Sequence, residues 1–97
     1  MRNRIKVLIV DDHPVFRRGL KEIIEEQKKF EIVGEAADGM VGLHLAAELK
    51  PDIIVLDVDM PHLNGLQMAR ALRKDQASAQ IVILSMHGDD QSTPRQD

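Results

Sequence analysis

Ile5-Lys6-Val7-Leu8-Ile9-Val10-Asp11-Asp12 and Asp52-Ile53-Ile54-Val55-Leu56-Asp57 decide the fold. Each is a nearly continuous β-branched run that stops at an acid. Such runs read as strands buried on both faces, the kind found inside parallel sheets. After the first run, Pro14 suits the first position of a helix, with Asp12 or His13 as its cap. Phe16, Leu20, Ile23 and Ile24 then recur at helical spacing. Arg17, Arg18, Lys21, Glu22, Glu25 and Glu26 cover the opposite face, and the helix runs to about residue 28. A weaker strand follows over 31–36. Asp38-Gly39 marks a turn. A helix over 40–49 carries Val41, Leu45 and Leu49 on one stripe and ends at Pro51. Beyond Asp57, a loop over 58–63 leads to Asn64, a helix cap with Gln67 three residues on. A third helix over 65–74 and a fourth apolar strand over 81–85 complete the pattern. Strands alternating with helices predict a parallel sheet covered by helices on both faces.

The whole chain has 97 residues, room for a single small domain. It is 43% hydrophobic and 30% charged, a globular composition. There is no cysteine, which excludes a disulfide scaffold and a cysteine-based metal site. Phe16 and Phe30 are the only aromatic residues besides histidine, so a base-stacking platform is excluded. A net charge of −3 argues against a dominant DNA-binding face. No apolar run approaches the roughly 18–20 residues that span a bilayer. The segment ahead of Asp11 is too short for a signal peptide. These features predict a soluble, cytoplasmic protein.

Three of the strands end in polar groups: Asp11-Asp12, Asp57 and Ser85. In a parallel sheet those ends lie along one edge, and ligands bind there, where strand order reverses. With the first and third strands adjacent, Asp11, Asp12 and Asp57 converge. Clustered carboxylates repel and raise one another's pKa. A cation relieves that, and all-oxygen donors with room for water suit Mg²⁺ better than zinc. One carboxylate is then left to act as a nucleophile. Taken singly, Asp11 or Asp12 reads equally well as a cap ahead of Pro14. The set does not, because Asp57 precedes a non-helical loop. His13, His44, His62 and His87 lack ligand spacing and read as surface or loop side chains, with His13 and His62 at most bordering the site. Arg17, Arg18 and Lys21 read as a solvated basic face, with a partner role as the lesser alternative.

Asp11-Asp12 after the first strand, Asp57-Val58-Asp59-Met60-Pro61 followed by Gly65, and Ser85 ending the fourth strand together resemble the receiver domain of two-component response regulators. The run DDHPVFRRGL resembles the branch that carries a LuxR-type (NarL/FixJ-like) helix-turn-helix output domain. The resemblance covers residues about 4–90. It implies a flavodoxin-like, doubly wound α/β sheet of strand order 2-1-3-4-5, here 2-1-3-4. It implies Asp57 as the acceptor of a phosphoryl group from a sensor histidine kinase, in a reaction requiring Mg²⁺. Asp12 and Asp11 would ligate the metal together with Asp57 and the backbone carbonyl of Asp59. Ser85 would be the switch hydroxyl bonding a phosphoryl oxygen.

The pattern also departs from the family. The family continues through a fifth strand, whose lysine pairs with the phosphoryl group, and two more helices; no lysine follows Lys74 here. The expectation is an incomplete receiver over 4–90, a polar tail over 91–97 and no DNA-binding output domain, with phosphorylation slowed or uncoupled from signalling. The fourth strand becomes an apolar edge that invites a homo-oligomer or pairing with a full-length regulator. The module would not be an enzyme; it would serve as a signalling receiver, a phosphate sink or a kinase decoy, or be the product of an interrupted gene. One alternative is a phosphohydrolase resembling the haloacid dehalogenase superfamily, using Asp57 and Asp59. Another is an interaction fragment that takes no phosphate.

Overall fold

The computed structural model describes residues 4–57, 67, 70, 71, 73 and 79–84. Strand β1 (Ile5–Val10) is followed by helix α1 (Pro14–Glu25), strand β2 (Phe30–Ala36), helix α2 (Gly39–Leu49), strand β3 (Ile53–Asp57) and strand β4 (Gln80–Leu84). The four strands are all parallel, in the order β2-β1-β3-β4. Gln67, Arg70, Ala71 and Arg73 are helical, in keeping with the helix expected over 65–74.

The period-2 alternation of β1 divides the core into two layers. Leu8 and Val10 point to the α2 side, where they pack with Ala36, Ala46, Ile54 and Leu56. Val7 and Ile9 point to the other side and meet Val55, with Leu20 and Ile24 of α1 resting on them. Leu8, Ile9, Ile54 and Leu56 are fully buried, and each contributes about 1.5–3 kcal/mol relative to exposure. The helices therefore flank the sheet on both faces, as the alternating pattern requires.

Several local expectations shift. Helix α1 ends at Glu25, not residue 28. Gln27 and Phe30 instead donate to the carbonyls of Ile24 and Gln27 in the turn that leads into β2. On α2 the expected stripe of Val41, Leu45 and Leu49 is rotated. Gly39, Gly42 and Ala46 are the buried positions, while Val41 is 44% exposed. Small side chains let the helix sit close to the sheet, and Leu45 and Leu49 lean towards Gly34 of β2. Ile23 of α1 is also largely exposed, not part of the core. Asp38 proves to be the N-cap of α2, its carboxylate accepting from the Val41 N–H at 2.9 Å. Lys50 closes the helix in the left-handed conformation (φ 50°), and Pro51 prevents any continuation.

Candidate functional site

The reversal of strand order falls between β1 and β3, because β2 lies on one side of β1 and β4 lies beyond β3. The crevice at the carboxyl ends of these strands is the expected ligand position. Asp57 is the last residue of β3, and Asp11 directly follows β1. The Asp11 N–H still donates to the Ala36 carbonyl at 2.9 Å, so the ladder carries on one residue past β1. Asp11 and Asp57 are 1% and 2% exposed. Asp12, at the start of the turn into α1, is more open. Thus the convergence expected from the two acid-terminated strands holds for Asp11, Asp12 and Asp57.

His13 joins them, nearer than the bordering position expected of it. Its backbone N–H donates to Asp11 Oδ1 at 2.6 Å, closing a tight turn. That turn folds the ring back over the acids. The ring Nδ1 lies 2.9 Å from Asp12 Oδ1, 3.1 Å from Asp57 Oδ2 and 3.3 Å from Asp11 Oδ1. One potential ligand atom from each of Asp11, Asp12, His13 and Asp57 lies within 4.8 Å of the others. Pro14 was the available signal. By starting the helix at once, it leaves His13 as an N-cap whose side chain caps nothing and turns to the acids instead.

The basic face of α1 also has definite partners. The Arg17 guanidinium donates to the Asp11 carbonyl and pairs with Glu35 of β2 at 3.3 Å. Lys21 pairs with the same carboxylate at 3.1 Å, and only Arg18 of the three stays a largely exposed side chain. Arg17 thereby ties α1, β2 and the end of β1 together behind the acids.

Electrostatics follow from burial. Asp11 has its pKa raised, first by loss of water and then by the Asp57 charge, against the lowering effect of the His13 N–H bond. His13 has its pKa raised as well. Partial desolvation opposes its charge, but the Asp12 carboxylate and the neighbouring acids outweigh that. Two buried carboxylate oxygens, Asp11 Oδ2 and Asp12 Oδ1, have no hydrogen-bond partner among the described residues. A native fold rarely leaves such atoms unsatisfied. Acid oxygens so placed at the mouth of a crevice, beside a third carboxylate, are of the type that suits a hard divalent cation such as Mg²⁺. Asp59 and Ser85, the other two expected contributors, lie outside the described residues, as do His62, His87 and the segments 58–66 and 85–97.

Comparison with known proteins agrees with this geometry. The family model described as the response regulator receiver domain matches residues 7–96. The chain belongs to that family, the receiver domains of two-component response regulators. A nitrate/nitrite response regulator homolog from Haemophilus influenzae is 40% identical over 86 residues, 89% of this chain and 41% of that protein. The signal receiver domain of a NarL response regulator from Mycobacterium tuberculosis superposes with a TM-score of 0.85 at 33% identity, covering 91% of this chain and 71% of that one. A protein-glutamate methylesterase/protein-glutamine glutaminase from Thermotoga maritima is 40% identical over 82 residues, which are 24% of that protein. The same module thus occurs in regulators and in an enzyme. The chain spans 37–41% of the length of the first curated relatives it matches. The family assignment sets aside the haloacid dehalogenase-like alternative.

Proposed function

We propose that Asp57 accepts a phosphoryl group from the phosphohistidine of a sensor kinase, in a reaction that requires Mg²⁺. One observation carries this reading: the buried Asp57 ends β3 within a cluster that holds Asp11 and Asp12 and includes two buried acid oxygens without a hydrogen-bond partner among the described residues. An Asp57 carboxylate oxygen forms the bond to phosphorus as the phosphorus–nitrogen bond of the kinase histidine breaks. The electron pair stays on the departing imidazole. The work of the protein is positioning and charge neutralisation, as in-line phosphoryl transfer requires.

Asp11, Asp12 and Asp57 would hold Mg²⁺, which when bound supplies positive charge opposite the phosphoryl oxygens. The Asp59 carbonyl is the fourth protein ligand in this reading. Ser85 is the hydroxyl that bonds a phosphoryl oxygen. Its support is register: Asp57 pairs with Leu84, the residue before it in the chain. The module itself is a signalling switch and not an enzyme with turnover. It works in the cytoplasm without direct contact with nucleic acid, and no described helix is long and apolar enough to cross a membrane.

The test is intact mass after incubation with acetyl phosphate and Mg²⁺. A single phosphoryl adduct is expected, lost with Asp57→Asn and lost when Mg²⁺ is chelated. An adduct that survives Asp57→Asn, or none on a folded wild-type chain, would overturn the assignment.

A further inference from the structure

Three carboxylates are enough to hold Mg²⁺, yet a nitrogen stands among them. His13 Nδ1 has carboxylate oxygens of Asp12, Asp57 and Asp11 at 2.9, 3.1 and 3.3 Å. A neutral imidazole carries one ring proton, so it cannot satisfy three acceptors. The ring nitrogen hydrogen-bonds to Asp57 Oδ2 and Asp11 Oδ1, while Asp12 Oδ1, the nearest oxygen, has no hydrogen bond among the described residues. Asp11, 1% exposed, still has Oδ2 without a hydrogen-bond partner among the described residues.

These separations match ligand–ligand edges. Metal–ligand bonds of about 2.1 Å place neighbouring donors about 3.0 Å apart at right angles, and about 3.4 Å apart in a tetrahedron. The three nitrogen–oxygen distances fall between 2.9 and 3.3 Å. The backbone favours the arrangement too. The turn closed by the His13 N–H on Asp11 Oδ1 holds the ring against the acids, and no cap bond to α1 competes for the side chain.

We propose that His13 is a nitrogen ligand of this site, through Nδ1, so that the chain binds a borderline transition cation such as Mn²⁺, Co²⁺ or Zn²⁺ in a mixed nitrogen–oxygen set. The inference rests on reading Asp11, Asp12 and Asp57 as a cation site. Imidazole suits these ions, while Mg²⁺ takes oxygen donors. Mg²⁺ then uses the carboxylates alone, and His13 discriminates between the two classes of ion. Ligation at Nδ1 requires the tautomer with its proton on Nε2.

The experiment uses the metal-free 97-residue chain and two readouts. Electron spin echo modulation of bound Mn²⁺ is expected to show ¹⁴N coupling in the wild type and none in His13→Ala. Calorimetric titration is expected to show Zn²⁺ affinity falling at least about tenfold in His13→Ala, the loss that even outer-shell partners of a ligand cause. Mg²⁺ affinity is expected not to fall, because the ring competes with that ion for the same carboxylates. His13→Gln serves as a second variant, and circular dichroism checks that both fold. Mn²⁺ bound without ¹⁴N coupling in the wild type overturns the proposal, as does a parallel loss of Zn²⁺ and Mg²⁺. Both of those outcomes leave the carboxylate reading intact. Binding of no divalent cation at all would sink both readings, and so is distinct from failure of His13 alone.

Discussion

Asp11 carries an unfavourable charge in the metal-free protein, and the cost depends on pH. Burial and the Asp57 charge raise its pKa above the ordinary 3.8. Between 3.8 and its folded value, the native state keeps a proton that the unfolded chain has released. Stability therefore falls as pH rises through that window. His13 acts in the same direction at higher pH. Its contribution is fully present below 6.5 and is lost as pH rises through its raised folded value. Asp11→Asn keeps an oxygen for the His13 N–H but removes the charge. In chelator, this variant is expected to gain stability over the wild type as pH climbs from 3.8, by a margin that then levels off. Thermal unfolding across pH checks this; a difference independent of pH would refute it. Addition of Mg²⁺ is expected to shrink the margin, because a bound cation stabilises the wild-type carboxylate by mass action. The three acids of this site were legible because each stands at or just past the end of an apolar run. His13 was less so, since its approach depends on a turn closed by a backbone hydrogen bond, and Pro14 marks only where the helix begins.

At the scale of elements, β2 shows how packing overrides pattern. Its register with β1 slips between Val7 and Leu8, so that Leu8 pairs with Gly34. A Cβ at Gly34 would lie 2.8 Å from Leu49 Cδ1 and 3.2 Å from Leu8 Cδ1. Glycine is thus required for close approach of α2, not for its backbone freedom. Gly34→Ala is expected to destabilise by about 1 kcal/mol, the low end for overpacking, because the ends of two leucine side chains can turn away. Gly34→Val should cost about 3 kcal/mol, since its branches have nowhere to go. Urea unfolding midpoints at constant slope measure this, and an alanine variant as stable as wild type would contradict it. β1 was legible to the residue, because an apolar β-branched run bounded by acids has one reading. The end of α1 was not: 26–29 is all polar and carries no periodicity, so only its hydrogen bonds locate the stop. On α2, three small residues hid the buried face, because hydrophobic spacing follows the larger Val41 instead.

For the whole molecule, the two sheet edges differ in character. β2 has Glu31 and Glu35 along its length, and Glu35 is gripped by Arg17 and Lys21. Charges of this kind protect an edge. β4 reads Gln-Ile-Val-Ile-Leu, with no charge and no proline. Its only strand partner among the described residues is β3, and Val82 and Ile83 are 37% and 41% exposed. A short apolar strand whose outer side has no strand partner among the described residues is a template for another strand. Two copies related by a twofold axis would pair β4 with β4 antiparallel, joining their sheets into one. The 97-residue polypeptide is therefore expected to self-associate as its concentration rises. Light scattering coupled to size exclusion should show the mean mass climbing from monomer towards dimer or beyond. Ile83→Lys places a charge on the exposed edge and should return the chain to a monomer without lowering its thermal midpoint. A mass fixed at one monomer over the whole concentration range would show that β4 is covered, and would redirect attention to what covers it. Because Asp57 and Leu84 are register partners at the end of this same strand pair, strand pairing at β4 is also expected to alter Mg²⁺ affinity. Titrating Mg²⁺ into the Ile83→Lys monomer and the associated wild type would then give different dissociation constants.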